Sequence, residues 1–89
     1  MFVVAITITN PGEGNDADQR LSAHRAWFTR HFDEGDFILV GPRTDREAAG
    51  VLVADLPDRP TLDRVLSEDA FWPDRATYEV AEFDAKLRR

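Results

Sequence analysis

Three short runs, FVVAITIT (residues 2 to 9), FILV (37 to 40) and VLVA (51 to 54), are β-branched, aromatic and apolar, and longer stretches of helical spacing separate them. That interleaving constrains the chain more than any other feature. Asn10-Pro11-Gly12 closes the first run and Gly41-Pro42 halts the second, as turn-forming residues do. Residues 16 to 34 read as a helix, capped by Asp16 or Asp18 and stopped by Gly35, which tolerates the positive φ of a helix end. After the charged turn RTDREAA comes a strand over 50 to 56, then a helix over 57 to 68 with Thr61, Leu62, Val65 and Leu66 on one face. RATYEVAEF (75 to 83) alternates as a final strand. The order β-α-β-β-α-β predicts an α+β, ferredoxin-like fold: a four-stranded antiparallel sheet with two helices on one face.

With 89 residues the chain makes one domain, residues 1 to 89, and a single modest core. Two helices cover only one side of the sheet, yet FILV and VLVA are apolar on both faces. The bare apolar side calls for a cover, and a second copy of the chain, packed face to face, supplies one most economically. A homodimer is therefore expected through the open sheet face.

Several function classes drop out. The net charge is −6 with no internal Lys/Arg cluster, so the average field repels nucleic acid. There is no cysteine for a disulfide or thiolate metal site, and two histidines are too few for a His-rich one. No apolar run approaches the roughly 18 residues of a membrane span, and MFVVAITITN lacks the basic start of a signal peptide. A cytoplasmic protein is expected.

Both histidines lie in LSAHRAWFTRHF (21 to 32). On a helical wheel Leu21, Phe28 and Phe32 point together and read as the core stripe. His24 lies about 60° to one side, at a seam where an imidazole can enter a cleft, while His31 reads as closer to the exposed arc. A seam histidine has two readings: a boundary residue with a hydrogen-bond partner, or an acid/base working near neutral pH.

Three stretches, AHRAWFTRHFDEGD, FILVGP and SEDAFWPDRATYEV, in register with this element order, resemble the YciI-like (YCII-related) family over essentially the whole chain. The resemblance implies a dimeric α+β barrel-type protein, similar in fold to muconolactone isomerase, with a histidine–aspartate pair as its catalytic centre. It also implies a chemistry, since one relative eliminates chloride from a chlorinated hydroxyhydroquinone. The family histidine matches His24. Its aspartate, which usually opens an Asp-Pro-aromatic triplet, matches Asp69, followed here by Ala70 and Phe71 in place of the proline.

Asp69 is expected to orient the His24 ring, and His24 to move a proton at an acidic C–H or O–H. Trp27, Phe28, Phe71 and Trp72 would wall a pocket for a flat ring, or else are ordinary core aromatics. Arg43, just past Gly41-Pro42, would meet a substrate anion, or else is a solvated turn residue. Ser67 reads as a local hydrogen-bonder rather than a nucleophile. The leading expectation is a cofactor-independent lyase or isomerase, without a metal, acting on a cyclic or aromatic metabolite. The alternative is a non-catalytic dimeric domain that binds a small molecule. Visible absorbance of the purified protein would instead point to an oxygenase with a haem-like group.

Overall fold

The computed structural model describes all 89 residues. Six elements follow one another: β1 (Phe2–Ile8), α1 (Gly14–Asp33), β2 (Phe37–Pro42), β3 (Ala49–Ala54), α2 (Arg59–Ser67) and β4 (Ala76–Glu82). The strands form one sheet in the order β2-β3-β1-β4, every neighbouring pair antiparallel. This is the ferredoxin-like α+β arrangement, with the first strand at the centre.

Period-two alternation divides the sheet as the sequence requires. Phe2, Val4 and Ile6 of β1 and Leu52 and Ala54 of β3 are buried, and they form one core with Trp27, Leu62, Val65, Leu66, Phe71 and Ala76. The register aligns these positions across strands, Val4 opposite Leu52 and Val80. The intervening residues Val3, Ala5, Val51 and Val53 are only half-buried, and Leu39 is 54% exposed. Both helices pack on one face, and the other remains an apolar surface.

The chain ends its elements by local chemistry. Asp58 caps α2, its carboxylate accepting from the Thr61 N–H at 2.9 Å, and Pro60 sits in the first turn where no N–H is needed. Hydrogen bonding from Thr61, by its side chain first and then by its backbone N–H, holds the Asp58 carboxyl below the usual carboxylate range. Gly35 adopts φ 86° just after α1. At Gly50 an added Cβ would stand 3.2 Å from the Gly41 carbonyl oxygen, a tight contact that would ask the β2–β3 pair to give by a few tenths of an ångström. No helix is long and apolar enough to cross a membrane.

Two local expectations need correction. α1 starts at Gly14 with Glu13 at the cap position and no side-chain cap, so Asp16 serves in the first turn, against the positive end of the helix dipole. β2 does end at Gly41-Pro42, with Pro42 still pairing with Gly50 on the sheet edge, where no donor is missed. The buried arc of α1 is rotated by about 90° from the Leu21–Phe28–Phe32 stripe. Trp27 and His31 face the core, whereas Phe32 is 51% exposed.

Candidate functional site

His24 and Asp69 meet. The His24 Nδ1 lies 2.6 Å from Asp69 Oδ1, across the seam between α1 and the turn that follows α2. The turn is built by backbone bonds: the Asp69 N–H donates to the Leu66 carbonyl at 3.1 Å, and the Trp72 N–H donates to the Asp69 carbonyl at 3.1 Å. With its neighbours so fixed, Asp69 holds its place without the proline that the family triplet carries.

Asp69 is 4% exposed, a carboxylate inside the core. Burial of an acceptor is tolerable only when its lone pairs are used. The second oxygen, Oδ2, accepts from the Tyr78 hydroxyl at 2.6 Å. Desolvation, then the hydrogen bond to Asp69, push the Tyr78 phenol well above the ordinary tyrosine range. Tyr78 therefore stays a neutral donor. Its role is not visible in the sequence, where the only signal is an aromatic hydroxyl on the inward-facing register of the last strand, opposite Ile6.

A carboxylate facing Nδ1 selects the tautomer in which Nδ1 carries the proton and donates it. Nε2 then presents its lone pair, and it has no hydrogen-bond partner within the chain. The ring is fixed on three sides, stacked 5.7 Å from Trp27 and edge-on to Phe28 and Phe71 at 5.3 and 5.2 Å. Trp27 is itself pinned by its indole N–H, which donates to the Val65 carbonyl at 2.9 Å.

His24 is part of the wall of a cleft of about 1010 Å³. One side of the cleft is the stripe Leu21, Arg25, Phe28, Thr29 and Phe32 of α1. The floor includes Ile6, Val40 and Leu52, and the far rim is the β2–β3 turn from Arg43 to Ala48. The apolar stripe that reads as core thus lines an open cleft instead. Ala48 holds the turn in place, adopting φ 52° while its carbonyl accepts from the Ile8 N–H at 2.8 Å.

Of the expected site residues, His24, Trp27, Phe28 and Arg43 line this cleft. Phe71 and Trp72 do not: Phe71 is buried behind His24, and Trp72 packs against Tyr78 with the rings tilted and their centroids 5.1 Å apart. Their part is to support the pair from behind. Arg43 reaches the rim but is held by both oxygens of Asp45, at 2.9 and 2.8 Å, which lowers the Asp45 carboxyl and satisfies the guanidinium. Arg25 and Arg46, which the sequence did not single out, line the cleft without an ion pair. Ser67 donates its hydroxyl to the Arg64 carbonyl at 2.6 Å, a local bond as anticipated. Contrary to expectation, His31 is not near the exposed arc but 4% exposed, because both its ring nitrogens find carboxylates.

No curated protein matches the sequence closely enough to lend it a function. The family comparison is decisive on kinship: the model of the YCII-related domain matches residues 1–84, and the chain belongs to that family.

Proposed function

We propose that the protein is a small acid–base enzyme of the lyase or isomerase type, with His24 as the base and Asp69 as the residue that orients it. One observation carries this reading: His24 is anchored through Nδ1 to a buried carboxylate, while its unpartnered Nε2 belongs to a residue on the wall of a roomy, mostly apolar cleft.

The geometry supports a proton-transfer step. Nε2 removes a proton from a carbon made acidic by a neighbouring carbonyl or enol, and the ring becomes an imidazolium bonded to Asp69. In an isomerisation the same proton returns to another carbon of the conjugated system. In an elimination the C–H electron pair forms the new double bond as the leaving group departs with its own pair, and the imidazolium later gives its proton to water. The step calls for no cofactor.

The cleft favours a cyclic or aromatic substrate, whose flat face suits Phe28, Trp27 and the aliphatic floor. Arg25 and Arg46 are available to an anionic substituent, whereas Arg43 is already committed to Asp45. The half-buried face of Val3, Ala5, Val51 and Val53 supports a homodimer closed through the open side of the sheet.

Deuterium wash-in tests this reading whatever the product. Cyclic C–H acids, including lactones and cyclic diketones, are incubated with the protein in heavy water and followed by proton NMR. Exchange that is lost in His24→Gln supports the proposal. Binding without exchange across the panel would instead leave a dimeric small-molecule-binding domain.

A further inference from the structure

His31 is a buried titratable group that the proposed chemistry does not use. It lies seven residues beyond His24, two helical turns along nearly the same face. Both of its ring nitrogens are engaged. Nδ1 is 2.8 Å from Asp36 Oδ2, at the entrance to β2, and Nε2 is 3.0 Å from Glu68 Oε1, at the end of α2. The remaining charged groups around it are Arg30, which bonds to Glu68 and lies 3.2 Å from His31 Nε2, and Glu34, which groups with His31 and Asp36.

Glu68 and Asp69 are consecutive. One face of α1 therefore holds two neighbouring acidic residues of one turn with its two histidines, His31 on Glu68 and His24 on Asp69. One turn carries both: the Glu68 N–H donates to the Val65 carbonyl at 3.2 Å and the Asp69 N–H to the Leu66 carbonyl at 3.1 Å. A shift of Glu68 by a fraction of an ångström displaces Asp69 too, and a bond as short as that from His24 to Asp69 weakens steeply with such displacement.

We propose that His31 is a positioning residue for the His24–Asp69 pair, acting through Glu68 on the turn that carries Asp69. The inference rests on the pair being the working centre. Its test reads the pair directly, however, so it can fail while deuterium wash-in succeeds, or hold while wash-in fails.

The signal is the Nδ1 proton of His24, observed by NMR on ¹⁵N-labelled protein, together with its exchange rate with water. Glu68 is a suitable target because its side chain is 45% exposed and its loss leaves no hole in the core. In Glu68→Ala the exchange of the His24 Nδ1 proton is expected to accelerate about tenfold, which corresponds to weakening the His24–Asp69 bond by about 1.4 kcal/mol. Glu68→Gln, which keeps an acceptor for His31, restores the slower rate. Arg30→Ala leaves the rate as in the parent, since the His31 bond to Glu68 is intact. His31→Gln, read in the same way, offers a second route should Glu68→Ala unfold.

A merely structural tie would lower the thermal midpoint of Glu68→Ala and leave the His24 signal unchanged, and that result overturns the proposal. So does Arg30→Ala reproducing the Glu68→Ala effect, because the turn would then be held by the guanidinium instead of the imidazole.

Discussion

The Nδ1 of His24 stands 2.6 Å from Oδ1 of Asp69, whose side chain is wholly buried while that of His24 is 13% exposed. The two ends of this contact thus face different media. Asp69 is an internal anchor with both oxygens occupied, and His24 is the outlet towards the cleft. On the proposed function such a pairing ties stability to activity, because the same carboxylate accepts from the Tyr78 hydroxyl and orients the ring.

Replacing Asp69 with Asn keeps the shape but swaps one acceptor oxygen for a donor, so one of His24 and Tyr78 no longer meets an acceptor and must reverse its role or lose its bond. The cost is about 1–3 kcal/mol, read as a lower urea midpoint with an unchanged slope. Asp69→Ala, which strands both donors, is the more damaging of the two.

Tyr78 is the single tyrosine, so ultraviolet absorbance of tyrosinate reports on it alone. Its folded-state pKa is raised by burial and by the bond to Asp69. The stability it contributes is therefore fully present below about pH 10. That contribution declines as pH rises further, since the unfolded chain releases the phenolic proton first. The folded protein is expected to show no tyrosinate absorbance until well above pH 10, with unfolding favoured as the pH climbs. Normal titration near pH 10 in the folded protein contradicts this account of the hydroxyl.

Trp27→Phe removes the donor to the Val65 carbonyl and part of the surface on which His24 stacks. A loss of about 1–3 kcal/mol is expected in denaturant unfolding, since an internal hydrogen bond and packed volume go together. A variant as stable as the parent would mean that the indole is not what fastens α1 to α2.

The open sheet face makes its own prediction. A charge placed there, Val53→Asp, cannot be buried against a second copy without several kcal/mol of desolvation. Sedimentation equilibrium is expected to give twice the 10.1 kDa chain mass for the parent and a single chain for Val53→Asp. A monomeric parent removes the homodimer from the account.

The element order was legible because each strand carries its own β-branched signature and each helix its own punctuation. Gly35 after α1 is a local statement that tertiary structure had no reason to override, whereas the Asp58 cap went unread, since α2 was expected to start at Pro57. The orientation of α1 was not legible. Leu21, Phe28 and Phe32 are its aliphatic and aromatic stripe, but the core took Trp27 and His31, whose polar atoms are satisfied by Val65, Asp36 and Glu68. Those partners are remote in sequence or lie beyond the helix end, so no periodicity within the helix reveals them. Arg43 was conspicuous beside Gly41-Pro42, yet Asp45, two residues on, claims it. The pairing of His24 with Asp69 came from family likeness, since nothing in the spacing of residues 45 apart specifies contact.

The most direct test of the central claim is the ¹⁵N spectrum of the His24 ring near neutral pH, in the parent and in Asp69→Asn. The account predicts that, in the neutral ring of the parent, Nδ1 carries the proton and Nε2 is bare, and that this preference is lost or weakened in Asp69→Asn. A parent ring protonated at Nε2, or the same tautomer balance in both proteins, would contradict the claim that Asp69 sets His24 as a base facing the cleft.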